Sequence, residues 1–368
     1  MARLSSLCIA LLLLVSIHAS AQSDGPYVIR TSDGSLDAWS VDVIDDVARK
    51  RVRALKENAT IVVPAVGAIP SFEVALRGPA DIPREEVKTN RKAPIFVAAD
   101  THGEFEILAQ MLMEHRIVDP ELRWSFGSGH LVVLGDVFDR GPNQLEILWL
   151  LYALEAQAQK AGGGVHLLLG NHEFMILQGD VRYLNPKYQR TAQVLGVDAY
   201  TRLFSEASLL GQWLRTRASI MKIDQLLVLH GGVSPAIVER GLTLAQINST
   251  LRSTLARQTF AGAGERNLAE FLSGPEGPLW YRGYFPDDAG RQEATTQDVQ
   301  RIREYFGVTT VLVGHTRVPT ITPLYSGAVI AVQVYPRRSP DGVTTFEALL
   351  VRDGRFHRAR PNGTLEEL

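Results

Sequence analysis

The sequence predicts an α/β domain, and three patterns carry that expectation. Bounded runs of apolar and β-branched residues recur at 95–97, 131–134, 165–169, 226–229 and 311–313, as in strands buried on both faces. Helical patterns at 104–116, 144–160 and 295–306 alternate with them, and strand–loop–helix alternation builds an α/β layer structure. Each apolar run ends directly in a polar motif, and open α/β sheets gather binding groups outside the carboxyl ends of their strands.

The chain opens on Met1-Ala2-Arg3, a positive start, followed by an apolar run from Cys8 to Ile17 that is too short to span a bilayer. Ala19-Ser20-Ala21 is a small-residue cleavage pattern. Residues 1–21 therefore read as a signal peptide, with the mature start at Gln22, export to a bacterial periplasm or the medium, and no stable membrane anchor after cleavage. Cys8 is the only cysteine and stands at the front of the apolar run, the wrong end for a lipoprotein cysteine. Its removal leaves a chain without disulfides, although the compartment permits them. A large disulfide-free exported protein fits a bacterial periplasm better than a eukaryotic secretory route. The sequons at Asn58, Asn248 and Asn362 read as chance matches.

Residues 22–92 read as an N-terminal extension packing on the core. Strand-like pieces occur at 27–30, 60–66 and 72–77, and a helix is expected at 41–56. Lys50-Arg51-Val52-Arg53 would be one solvated face of that helix. The net charge of −2 gives no global basic field, so nucleic acid is not an expected partner. At 368 residues and 45% apolar content there is ample material for a core. Residues 93–368 form the main domain. Within it 180–223 and 243–278 lack motifs, look largely helical, and are expected to cap the strand ends. The stretches 329–335, 344–351 and 355–360, the last after an Asp353-Gly354 turn, read as strands closing the sheet.

The motifs after the strands carry the chemistry. They are Asp100-Thr101-His102-Gly103, Gly135-Asp136-Val137-Phe138-Asp139-Arg140-Gly141, Gly170-Asn171-His172-Glu173, His230-Gly231-Gly232 and Gly314-His315. Asp100 and His102 point the same way if the strand end stays extended, and together can grip one ion. Asp136 can bridge two ions through its carboxylate oxygens. Asn171, His230 and His315 offer neutral donors to a second ion and leave the pair strongly Lewis-acidic. Two ions about 3.5–4 Å apart form a clamp for in-line displacement at phosphorus. Such oxygen and nitrogen donors suit manganese, iron, zinc or cobalt, and without thiolates softness does not choose among them; manganese is the expected metal. His172, beside a ligand, should instead face the substrate. Asp139 can orient and charge it, so that the imidazolium protonates a leaving oxygen. Arg140 and Arg282 can hold phosphate oxygens through their planar forks. Arg282 lies in Leu279-Trp280-Tyr281-Arg282-Gly283-Tyr284, a loop that could sit over the site. The remaining histidines, with Trp149 and Trp213, read as packing residues.

These motifs, in this order, resemble the phosphoprotein phosphatase family of the calcineurin-like metallophosphoesterases. The resemblance covers about 93–316, with one departure at Ala99, where the family often has glycine. The Asp24-Gly25-Pro26-Tyr27 start and the Trp280-Tyr281-Arg282-Gly283-Tyr284 segment are most similar to the Shewanella-like branch. The resemblance implies a four-layer sandwich, two mixed β-sheets flanked by helices. It implies that Asp100, His102 and Asp136 hold one divalent metal, and Asp136, Asn171, His230 and His315 the other. His172 with Asp139 becomes the general-acid pair, and Arg140 and Arg282, with Asn171, bind the substrate phosphate. The inhibitor-binding C-terminal signature of the best-known eukaryotic members is absent, so their regulatory partners are not expected.

The expected reaction is phosphomonoester hydrolysis by a metal-bridged hydroxide, without a covalent enzyme intermediate. The expected substrate is a phosphorylated protein or peptide, on tyrosine or serine/threonine. Rival readings are a dinucleoside polyphosphate or other small-phosphoester hydrolase, and a catalytically silent metal or phosphate binder. The oligomeric state is not legible.

Overall fold

Ile95 and Val97 face one side of their strand and Phe96 and Ala98 the other, and all four are buried. That period-two burial on both faces is what a central strand of a sandwich requires. The computed structural model describes residues 22–78, 81–90, 93–256, 260, 262–286, 290 and 293–368. The expected signal peptide lies outside them.

In chain order the elements begin with β1 (Asp24–Arg30), β2 (Leu36–Ile44) and β3 (Val47–Leu55), a three-stranded antiparallel sheet. A hairpin of β4 (Thr60–Val63) and β5 (Phe72–Ala75) and the short β6 (Glu86–Val87) follow. Then come β7 (Ile95–Ala98), α1 (Phe105–Glu114), β8 (His130–Val133), α2 (Gln144–Lys160), β9 (Gly164–Leu167) and α3 (Asn171–Gln178). The next stretch is α4 (Pro186–Leu195), α5 (Leu209–Arg215), β10 (Ile220–Ile223) and β11 (Leu226–Leu229), then α6 (Pro235–Glu239), α7 (Leu244–Ala256) and α8 (Ala263–Ser273). The chain closes with α9 (Thr296–Phe306), β12 (Thr310–Val313), β13 (Thr322–Leu324), β14 (Val329–Ala331), β15 (Ala348–Arg352), β16 (Arg355–Ala359) and β17 (Leu365–Glu367).

Two mixed six-stranded sheets, ordered β13-β14-β12-β11-β10-β6 and β17-β16-β15-β7-β8-β9, form the centre. Between them lies an apolar layer that includes Ile95, Val97, Val132, Leu134, Met221, Val228, Leu312 and Ile330. The opposite faces, with Phe96, Leu131, Val133, Leu227 and Val311, pack with residues of the helices, such as Leu108, Leu148, Ile247 and Ile302. The result is the expected four-layer sandwich. Among the described residues no helix is long and apolar enough to cross a membrane.

One expectation is overturned. Residues 41–56 are not a helix: β2 and β3, nine residues each, form a hairpin paired from Leu36↔Leu55 to Ile44↔Val47. The turn is Asp45-Asp46, both with positive φ (51° and 60°), which suits the twist of a tight hairpin. Leu36, Ala38 and Val41 are buried, while the basic run lies along an exposed strand, with Lys50 over the Trp39 ring and Arg51 paired to Asp42. A basic run alternating in and out of plane reads as either period when most of it faces water. The stretch 180–223 is helical through α5, but its last residues are β10, a strand of the first sheet.

Candidate active site

The strands β7, β8 and β9 of one sheet and β11 and β12 of the other point their carboxyl ends at a common edge. Asp100, Asp136, Asn171, His230 and His315 each follow one of them. Loops must come unusually close for these side chains to meet, and two glycines allow it. A Cβ on Gly135, where φ is +92°, would fall 2.3 Å from the Gly170 nitrogen, and one on Gly170 would fall 2.2 Å from Asp136 Oδ1. His102, Asp136, Asp139, Arg140 and His315 also hold positive φ without being glycine. Strain of this kind costs about 1–3 kcal/mol per residue and persists where the surroundings over-determine it.

The surroundings here are hydrogen bonds between loops. The His102 N–H donates to the Asp136 carbonyl (2.9 Å), Gly141 N–H to the His102 carbonyl (2.9 Å), and His315 N–H to Asp100 Oδ1 (3.0 Å). Glu173, fully buried, accepts from four backbone N–H groups: Asp136 and Val137 at 2.7 Å, Gly170 at 2.8 Å and Phe138 at 3.2 Å. The His172 N–H, in the first turn of α3, donates to Asp136 Oδ1 (3.0 Å).

Two sets of ligand atoms come within 4.8 Å of one another: His102, Asp136 and His172, and Asp136, His230 and His315. Asp136 belongs to both, as a bridging group would. Asn171 joins the second set, its Oδ1 2.9 Å from His230 Nε2. Asp100 lies beside these sets, with Oδ1 3.7 Å from His230 Nδ1.

The donor chemistry fits a cation. His230 Nδ1 meets the Leu134 carbonyl at 2.8 Å and must carry its proton there, so in the neutral ring Nε2 presents a lone pair. That atom faces Asn171 Oδ1, Asp136 Oδ2 (3.2 Å) and His315 Nδ1 (3.1 Å), an assembly of acceptors. His102 repeats the design, with Nδ1 on the Phe138 carbonyl (2.9 Å) and Nε2 turned toward Asp136 Oδ2 (3.8 Å). Backbone carbonyls that fix the far ring nitrogen are what metal-binding histidines require.

The titration behaviour points the same way. Burial opposes charge on His230, yet Asp136 and Asp100 outweigh it and push its pKa to about 9: the carboxylates around this point favour positive charge there. Burial pushes Asp136 toward its neutral form, but His230 and His172 hold it well below the ordinary carboxylate value. Burial lowers His102 to about 3 and, with His230 and Arg282 adding to it, His315 to about 2. Both are neutral donors.

His172, although its ring belongs to the first set, is also paired with a second carboxylate. Its Nδ1 lies 2.5 Å from Asp139 Oδ2, and its Nε2 is 3.7 Å from Asp136 Oδ2. Burial disfavours charge on the ring, but Asp136 and Asp139 together raise its pKa. Arg140, Arg282, Tyr183, Trp280 and Arg317 complete a cleft of about 320 Å³ around these groups. Arg282 is aimed by bonds from Nη1 to the His315 carbonyl (3.2 Å) and Thr316 Oγ1 (3.0 Å).

Of the residues singled out from sequence, Asp100, Asp136, Arg140, Asn171, His172, Arg282 and His315 line this cleft, while His102 and His230 lie behind it against Asp136 and Asp139 against His172. Sequence reasoning gave Glu173 no role, although it follows His172 directly. It also missed Tyr183, whose ring lies 5.3 Å from that of His172, and Arg317, two residues after His315. An arginine so close behind a motif histidine was the available signal, whereas nothing in the sequence marks Tyr183.

The comparisons agree with this geometry. The model of the calcineurin-like phosphoesterases matches residues 93–319, and the chain belongs to that family. The crystal structure of a cold-active protein-tyrosine phosphatase from a psychrophilic Shewanella species superimposes with a TM-score of 0.80 at 32% identity, covering 94% of this chain and 99% of that one. Shewanella-like protein phosphatase 1 of Plasmodium berghei is 26% identical over 239 residues, 64% of each chain. Shewanella-like protein phosphatase 2 of Arabidopsis thaliana is 40% identical over 88 residues, only 24% of this chain and 22% of that one. Within the family the chain stands in the Shewanella-like branch of phosphoprotein phosphatases. It is a metal-dependent phosphoester hydrolase.

Proposed function

We propose that the chain is an exported phosphoprotein phosphatase with a preference for phosphotyrosine. The observation that carries the reading is the His172–Asp139 pair set among Arg140, Arg282 and the convergent metal donors. Asp100, His102 and Asp136 would hold one divalent ion, and Asp136, Asn171, His230 and His315 the second. Manganese is the proposed metal, with iron, zinc or cobalt as alternatives; bound there, the ions supply Lewis acidity and an activated water.

The protein groups do the rest. Arg140 and Arg282 take phosphate oxygens and hold phosphorus in line, with the Asn171 amide beside them. Asp139 accepts the Nδ1–H of His172 and keeps that ring protonated, so that Nε2 delivers its proton to the departing oxygen. Tyr183, about half exposed, and Trp280 wall the cleft with aromatic surface that suits the ring of an aryl phosphate. The name of the Shewanella relative supports the same substrate.

Phosphate release tests this reading. The metal-stripped protein is reloaded with manganese and given phosphotyrosine, phosphoserine and phosphothreonine peptides beside a diadenosine polyphosphate, with Asp136→Asn as the blank. The expected order puts the phosphotyrosine peptide first. Turnover of the nucleotide alone would move the function to small-molecule hydrolysis. Export rests on the pattern of residues 1–21, and N-terminal sequencing of the protein from the periplasmic fraction should begin at Gln22.

A further inference from the structure

Asp139 sits on a strained turn, with φ of 71° there and 66° at Arg140, and its N–H donates to Gln144 Oε1 at 2.8 Å. A backbone N–H can only donate, so the Gln144 amide is fixed with its oxygen on Asp139. Its nitrogen donates the other way, to the Tyr200 hydroxyl at 2.8 Å. The hydroxyls of Tyr200 and Tyr27 are 3.3 Å apart, and the single proton of Tyr27 is committed to Asp24 Oδ2 at 2.6 Å. Tyr200 therefore supplies the proton between them. Four donors thus point in one direction, from the Asp139 backbone to the Asp24 carboxylate, and a charged end polarises such a chain along its length. Asp24, Tyr27, Gln144 and Tyr200 are all buried.

Asp24 also holds the other side of the turn. Its Oδ1 pairs with Lys187 Nζ at 3.1 Å and its Oδ2 accepts from Thr191 at 2.8 Å. Lys187 and Tyr188 both donate to the Pro142 carbonyl, at 2.8 and 2.6 Å, and Asn185 donates to the Arg140 carbonyl at 2.7 Å. Each contact fixes the backbone that carries Asp139 and Arg140. None of these groups lines the cleft.

We propose that Asp24, in the first strand of the chain, is a positioning residue for the general acid: through Tyr27, Tyr200 and Gln144 it holds Asp139 where it can orient His172. The N-terminal strand, close behind the expected start at Gln22, would then be a working part of the reaction site. This inference rests on the proposed acid role of His172.

Tyr200→Phe cuts the chain by removing one oxygen and keeps the ring, which packs on Tyr27, Tyr188 and Phe204. Asp24→Asn removes the charge at the far end, and His172→Asn serves as reference. For each manganese-loaded protein we would measure kcat on an alkyl phosphate, whose leaving group needs a proton, and on an aryl phosphate with an acidic leaving group. General acids contribute about 10²–10⁴-fold, and a misaligned one should lose roughly tenfold. The ratio of alkyl to aryl kcat should therefore fall about tenfold in Tyr200→Phe and Asp24→Asn, with aryl kcat and metal content retained. If the ratio falls in His172→Asn but holds in folded Tyr200→Phe, the positioning role is wrong while the acid role stands. If it holds in His172→Asn too, both are wrong. Equal loss on both substrates in Tyr200→Phe would mean a merely structural role and would overturn the inference.

Discussion

Replacing Glu173 with glutamine changes one atom and should loosen the centre of the site. The carboxylate divides four backbone donors between two oxygens: Oε2 takes Asp136 and Gly170, and Oε1 takes Val137 and Phe138. Glutamine keeps one oxygen, so one pair of N–H groups must face an NH₂ that offers no acceptor. Hydrogen bonds to a charged group contribute about 1.5–3 kcal/mol each, which puts the gross loss at about 3–6 kcal/mol. Relief of burying a charge offsets part of it, since burial and the neighbouring Asp136 already raise the Glu173 pKa. A net loss of about 3 kcal/mol lowers Tm by about 4 °C in a chain of this size. The same donors hold Asp136 at its positive φ of 55°, so the carboxylate proposed to bridge the metals should lose its aim. Supporting groups of this kind change metal affinity by about 10–100-fold. Thermal melting of metal-stripped Glu173→Gln separates the two effects, and calorimetric titration with manganese reads the second. A variant that melts and binds manganese like the wild type would refute the account of Glu173.

Further predictions test separate parts of the site. Asp136→Asn should lose about 10³-fold or more in phosphate release while staying folded, because it removes charge from both donor sets; near-normal turnover would show that Asp136 bridges nothing. Arg282→Lys keeps the charge but not the fork, and should raise KM for phosphopeptides about tenfold with little change in melting temperature. The His130 and His166 rings stack, with Nδ1 and Nε2 2.9 Å apart, so at most one proton can lie between them. Burial lowers the pKa of both, and His130 helps bring His166 to about 3. Since the folded values lie below the unfolded value near 6.5, their contribution is complete above about pH 6.5 and is lost as pH falls toward 3. Tm should fall more steeply between pH 7 and 5 in the wild type than in His166→Gln, and parallel curves would contradict this.

The strands and the motifs after them were legible because fully buried strands leave short apolar runs and because each motif follows its strand without a spacer. The bounds expected for 226–229 and 144–160 coincide with β11 and α2. The β2–β3 hairpin was not legible: nearly all of β3 faces water, so no apolar period records its direction. Asp45-Asp46 was its only sign, a turn whose positive φ angles do not require glycine. The proposed ligands could be picked out by residue type, since few side chains bind hard cations. The supports could not. Glu173, Gln144, Tyr200 and Asp24 act through contacts between distant loops, and a glutamate or tyrosine in sequence does not reveal whether it will be buried against a backbone N–H.

Anomalous diffraction from manganese-loaded crystals addresses the central claim most directly, because it locates the ions. The account predicts two peaks about 3.5–4 Å apart, with Asp136 between them, Asp100 and His102 on one side, and Asn171, His230 and His315 on the other. A single peak, or peaks away from Asp136, would contradict it.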